Sequence, residues 1–285
     1  MIKSKYNLIL LIIILSLTGC THNENYNANL VDNQEEINID DFFNLKECIV
    51  EYDFTIEKAY EDFYLYAEGK YDLNDDRKLD LIEIELLGRQ ESTIKINNTE
   101  IQTYTDHPFD VYLVDFIADD GFIELAIYDE GPSADPVTTF YRYDGKNIYE
   151  LGSLYAEISM EASSDILTDG AGTFIEIEGL NKFISPQIVM GYYRIEGNQF
   201  AYYPLDFSRY LNKEYTITRD FKAYFIEANL NGDFIGQDIE FTWDTKEMEE
   251  LKKDEKIKII SHEDFWYGIE LQDGTTGILY FWLGD

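Results

Sequence analysis

Along most of the chain, apolar and polar residues trade places at every second position in short runs. Ile82–Leu86 (IEIEL), Asp110–Phe116 (DVYLVDF), Phe122–Asp129 (FIELAIYD), Thr138–Asp144 (TTFYRYD) and Phe174–Leu180 (FIEIEGL) carry the pattern, and Gly, Asn or Asp punctuates it. A period of two with β-branched and aromatic residues predicts strands. One stretch reads differently: residues 244–256 (DTKEMEELKKDEK) are a helical candidate and equally a charged loop. The expected fold class is all-β.

The strands recur in a loose repeat. An acidic loop begins at Asp72, again at Asp115 and again at Asp165, and each runs into an apolar strand. Each unit then reaches a hairpin turn, at Asn97-Asn98, Asp144-Gly145 and Glu196-Gly197-Asn198. Asp-Gly between alternating runs is a strong two-residue turn signal. Turn-to-turn spacing is 47 and then 52 residues. Units of about 45 residues with about four strands have the size of propeller blades. Three units do not close a ring, so the expectation is a partial, propeller-like array of antiparallel repeats.

The N-terminus has another character. Lys3 and Lys5 precede an unbroken apolar run from Leu8 to Leu15. A bilayer span needs about 20 apolar residues, so the run is too short to cross and has the build of a secretory signal peptide. Its end, Leu17-Thr18-Gly19-Cys20, resembles the lipobox of bacterial lipoproteins. The resemblance implies cleavage before Cys20 and diacylation of its thiol, with palmitate among the acyl chains. The mature chain would then be held at the extracytoplasmic face of the cell membrane. Each buried methylene contributes about 0.8 kcal/mol, and more than one chain gives stable anchoring. Residues 21–40 are Asn-rich and acidic, and read as a flexible tether of roughly 25 Å.

Formal charge is −35, from 57 acidic and 22 basic residues. Such a surface repels nucleic acid and attracts cations. Yet 45% of residues are hydrophobic and 15% aromatic, which sets the chain apart from disordered acidic sequences. With Cys20 consumed by lipid, Cys48 has no intrachain partner and reads as a small buried hydrophobe.

Candidate chemistry concentrates in Asp72–Asp80 (DLNDDRKLD). Oxygens stand at Asp72, Asn74, Asp76 and Asp80, with the Lys78 carbonyl between the last two. Calcium takes six to eight hard oxygen ligands, and alternate residues of a tight loop can converge on one ion. The spacing resembles calcium loops of integrin-type FG-GAP and VCBS-like repeats, closely over residues 72–82 and loosely over the three repeats. That resemblance implies a weak, structural Ca²⁺ at these five residues. It departs at Arg77, where such loops carry Gly because the position favours positive φ. The bland reading is a solvated acidic turn. The later loops are poorer: Ile117 stands at a ligand position beside Asp115, Asp119 and Glu124, and Leu167 and Thr173 replace acids beside Asp165, Asp169 and Gly170. Asn229–Asp233 reads as a turn. Residues 129–136 (DEGPSADP) suit either a binding loop or plain turn chemistry.

From about residue 214 a strand, Trp266-Tyr267, a further strand, Asp273-Gly274 and a last aromatic strand resemble a bacterial Src-homology-3-like barrel. The expected organisation is a signal peptide (1–19), a lipidated Cys20 and tether (20–40), a β-repeat domain (41–213) and a small barrel (214–285). No Gly-x-Ser-x-Gly, phosphate loop, His-Glu-x-x-His or Cys-x-x-Cys occurs. These readings imply a non-enzymatic surface lipoprotein that binds envelope protein or cell-wall polymer, peptidoglycan by analogy. The alternative is an envelope glycan hydrolase with an unrecognised carboxylate pair.

Overall fold

The computed structural model describes residues 37, 39–59, 63–131, 136–158, 166–177, 179–227, 249–263 and 266–280. Regular structure among them is strand, interrupted by 3-10 turns of three or four residues. The fold is all-β, as the alternation predicts.

A short strand, β1 (Phe43–Asn44), opens the described chain. The first full sheet follows in chain order: β2 (Thr55–Ala59), β3 (Tyr64–Tyr71), β4 (Asp80–Leu87), β5 (Gln90–Ile96) and β6 (Thr99–Thr105), all antiparallel. It obeys its sequence pattern simply. Ile82, Ile84 and Leu86 of β4 are buried while Glu85 is exposed, because successive side chains leave opposite faces of a strand.

The second sheet runs β7 (Pro108–Val114), β8 (Glu124–Asp129), β9 (Val137–Tyr143) and β10 (Ile148–Leu154). Here both faces are covered. Val111, Leu113, Leu125, Ile127, Tyr141 and Tyr143 pack against the first sheet. Tyr112, Val114, Ala126, Tyr128 and Phe140 pack the other way, against the third. A strand buried on both faces reads as a near-continuous apolar run, which is why 125–128 (LAIY) barely alternates.

The third sheet contains β11 (Ile166–Thr168) and β12 (Thr173–Glu176). After β13 (Ile184–Ser185) departs to another sheet, β14 (Gly191–Glu196) and β15 (Gln199–Pro204) complete it. Its outer edge is β1, with Phe43 opposite Thr168. Phe116, Phe140, Phe174 and Phe200 meet between the second and third sheets with ring centroids 4.9–6.4 Å apart. Edge-on contacts of this kind add about 0.5–1.5 kcal/mol each beyond area burial. All three expected hairpin turns join strands of these sheets. Asn97, Gly145 and Gly197 supply the positive φ at the turns.

The fourth sheet has seven strands in the order β13, β16 (Lys213–Ile217), β19 (Lys256–Glu263), β20 (Trp266–Leu271), β21 (Thr276–Tyr280), β17 (Phe221–Glu227), β18 (Glu249–Leu251). Among the described residues it is open, with β13 and β18 at its edges. Its core joins Tyr215, Ile257, Ile259, Ile269 and Leu279 to Leu180, Ile184 and Ile188 from earlier in the chain. The helical candidate at 244–256 is not helical where it is described. Glu249–Leu251 pairs antiparallel with Phe221–Ala223 as β18, and residues 253–254 turn into β19. Leu251 is buried in the fourth core, and that anchor, with no apolar stripe at helical spacing, favours the strand.

Candidate functional site

The loop between β3 and β4 is built by its own acids. The Asp72 carboxylate accepts from the Asp76 and Arg77 backbone N–H groups, at 3.2 and 2.8 Å. Asn74 Oδ1 accepts from the same Asp76 N–H at 3.3 Å. Asp76 accepts from the Lys78 N–H at 2.8 Å and from Lys78 Nζ at 3.0 Å. These bonds hold the Asp76 carboxyl below its usual range, the Lys78 side chain acting most strongly. Arg77 has φ of 66° and Asp75 of 51°. The Gly-favouring conformation therefore exists at Arg77, without the Gly.

Asp80 differs from the other acids. It is 6% exposed, and its carboxylate accepts from the Leu73 N–H at 3.1 Å and from Asn97 Nδ2 at 2.7 Å. It thereby ties the loop to the β5–β6 turn. The residue types are those of a hard-cation loop, but here Asp72 and Asn74 cap the Asp76 and Arg77 backbone N–H groups. Asp76 is held by the protein's own ammonium, and Asp80 by Leu73 and Asn97. Among the described residues no three His, Cys, Asp or Glu side chains are grouped to hold a metal ion.

The second loop, residues 115–123, lies against the first. The Ile123 N–H donates to the Leu73 carbonyl at 3.0 Å, and a Cβ on Gly121 would stand 3.5 Å from Asp75 Cβ. Asn74 meets the β9–β10 turn so closely that a Cβ on Gly145 would lie 2.5 Å from its Nδ2. The third loop, residues 169–172, continues the row through a bridge between Ile117 and Ala171. In it Asp169 Oδ1 accepts from the Ala171 and Thr173 N–H groups at 2.8 and 2.9 Å. The acidic loops thus stand side by side at one end of the stacked sheets.

Beside the second loop stands a group that the sequence pattern did not single out. Arg142, in β9, has a side chain only 8% exposed. Its Nε donates to Glu124 Oε1 at 2.7 Å, its Nη2 donates to Asp120 Oδ2 at 3.0 Å, and the Phe122 ring covers it at 4.6 Å. Glu124 is fully buried, and burial raises its carboxyl to about 7 although Arg142 pulls the other way. Burial, with Asp120 and Asp119 nearby, also raises Asp115. The one signal in the sequence was a lone Arg at an interior position of an aromatic strand, Phe140-Tyr141-Arg142-Tyr143.

Cys48 is buried, and burial, aided by Asp115, pushes its thiol up to about 11, so it has no thiolate character at neutral pH. His107 stacks on Phe63 at 4.0 Å and meets Arg89 at 3.0 Å. In the 129–136 loop, Asp129 accepts backbone N–H bonds from Asp106, His107 and Gly131, at 2.6 to 2.8 Å. Residues 132–135 of that loop, Cys20, Asp165 and Asn229–Asp233 lie outside the described residues. Comparison with protein families, with curated proteins and with solved structures returns no match.

Proposed function

We propose that this chain is a lipid-anchored, extracytoplasmic binding protein. Cys20 is its acylation site, residues 21–40 are its tether, and the stacked sheets form a stiff display module. The observation that carries the anchoring is Leu17-Thr18-Gly19-Cys20 directly after the Leu8–Leu15 run. Strands joined by short turns among the described residues support a stiff display body. The fourth sheet is the proposed contact for cell-wall polymer or envelope protein. This rests on its likeness in sequence to Src-homology-3-like domains, and hence on analogy of fold.

Binding is favoured over glycan hydrolysis by the placement of the one strongly raised carboxyl among the described residues. A hydrolase's general acid must reach the glycosidic oxygen. Glu124 is fully buried and engaged by Arg142. In the first loop Asp72, Asp76 and Asp80 accept from backbone N–H groups. A weak calcium at Asp72, Asn74 and Asp76, with the Lys78 carbonyl and Asp80, is part of the proposal. Its role would be to stiffen the first loop, and through it the loop row.

The test of anchoring is fractionation of cells that make wild type and Cys20→Ser. Wild type should sediment with membranes and carry an acyl mass on Cys20, and the variant should be released. A variant that stays equally membrane-bound, with no acyl mass on the wild type, would overturn the anchoring.

A further inference from the structure

The first and second sheets are tied together at two places beyond their shared core. Thr103 and Tyr141 hydroxyls meet at 2.7 Å, joining β6 to β9. Asp129, at the end of β8, accepts from the Asp106 and His107 N–H groups just after β6, at 2.6 and 2.8 Å. Near these ties the sheets do not close on each other. A cleft of about 280 Å³ opens, lined by Tyr104, Asp106, Ile127, Thr139, Tyr141 and Ser153 among others. Most of its lining stands on strands fixed by sheet bonding, with Asp106 and Gly131 in connecting loops, and its volume lies just below that of drug-sized sites, at about 300 Å³ and up.

We propose that this cleft binds one ring of a neutral glycan. The proposal rests on the reading above that the chain binds an envelope polymer, and it names a different surface and a ligand chemistry. Tyr104 is 62% exposed and lines the cleft, so its ring offers a face to the C–H side of a sugar. The Thr139 and Ser153 hydroxyls hydrogen-bond each other at 2.8 Å, and each keeps a lone pair for a ligand. A hydroxyl both donates and accepts, which matches a ligand made of hydroxyls. Anionic ligands meet Asp106, Asp129 and a chain of charge −35. For ammonium ligands the lining offers the Asp106 carboxylate, while Asp129 already accepts from three backbone N–H groups. The exposed aromatic ring and the hydroxyls favour a neutral polyol, and tetralysine is the competing probe. One ring in so small a cleft should bind with a Kd of about 10⁻³ M.

The experiment uses the full chain in detergent, with ligand-observed NMR and calorimetry. The probes are neutral tetrasaccharides (N-acetylglucosamine, glucose and mannose oligomers), a galacturonate tetramer and tetralysine. At least one neutral tetrasaccharide should bind wild type in preference to the charged probes. Tyr104→Ala should weaken it at least tenfold and Thr139→Val at least threefold, with unfolding midpoints unchanged in both. No binding of any neutral probe, preference for a charged one, or equal binding by both variants would overturn the proposal. Sedimentation with insoluble cell wall separates the two readings. If Tyr104→Ala sediments and binds like wild type, the polymer-binding reading stands on another surface and the cleft site falls. If wild type binds a tetrasaccharide through Tyr104 but does not sediment, the cleft stands and the cell-wall partner falls.

Discussion

Lys78 is the residue on which calcium chemistry at the first loop turns. Its ammonium holds Asp76 at 3.0 Å, so an arriving cation must displace a tethered one. Both groups are exposed, and solvent screens the pair, so displacement is feasible but costs affinity. Arg77 at φ of 66° adds strain that a Gly would not. The expected Kd is roughly 10⁻⁴ to 10⁻³ M, as for extracellular modules. Calcium at 100 times Kd stabilises a fold by about 2.7 kcal/mol. At one to ten times Kd, the millimolar range, the gain is about 0.4–1.4 kcal/mol, so the thermal midpoint should rise modestly with millimolar calcium and more than with equal magnesium. Asp76→Ala should lose most of that rise, and Lys78→Gln should reach it at several-fold lower calcium. Identical responses from wild type and Asp76→Ala would leave the loop a charged turn. The Asp72 to Asp80 oxygens, and the positive φ at Arg77, were legible in the sequence because loop spacing is local information. The partnership of Asp80 with Asn97 was not, because it joins positions brought together only by pairing of β4 with β5 and β6.

At the level of elements, alternation located the strands and their hairpin turns. It was silent on which sheet faces which. The second sheet is covered on both sides, so its inward residues leave no polar face to mark orientation. The same silence hid Arg142, which holds β9, β8 and the second loop together through Glu124 and Asp120. That cluster makes a pH prediction. Glu124 has an ordinary pKa near 4.5 when unfolded and about 7 when folded. Its raised value means the folded state holds the proton more tightly. The resulting stability is full below about pH 4.5 and is lost as pH rises through 7. Glu124→Gln keeps a neutral side chain at every pH. Relative to wild type it should gain stability between pH 5 and pH 8, by up to about 3 kcal/mol. Asp115, also raised, is present in both proteins and drops out of the difference. Urea midpoints at the two pH values measure it. A relative loss for Glu124→Gln on going to pH 8 would mean that the ion pair with Arg142 outweighs burial.

On the scale of the whole molecule, three sheets stack through two shared cores, and a fourth sheet has its own. The change of character near residue 214 was visible in the sequence. What was not visible is that the fourth sheet draws on earlier chain. Ile184 and Ser185 pair with Ile217 and Thr216, and Leu180, Ile184 and Ile188 enter its core. A two-residue strand carries too few positions to show a period. A fragment of residues 214–285 therefore lacks an edge strand and three buried side chains. At about 70 residues it is also close to the size where a core needs help to be stable. Deleting one buried Leu or Ile to Ala typically costs about 2–5 kcal/mol. The fragment should unfold at markedly lower urea than the same region in the full chain, and a fragment starting at residue 179 should recover part of the difference. In the full chain, Leu180→Ala and Ile184→Ala should destabilise the fourth core and leave the Phe cluster between the second and third sheets protected. Hydrogen exchange resolved along the chain reads this directly: faster exchange in β16, β19 and β20, with β8 and β9 unchanged. Equal loss of protection in all four sheets would show instead that the molecule unfolds as one cooperative unit.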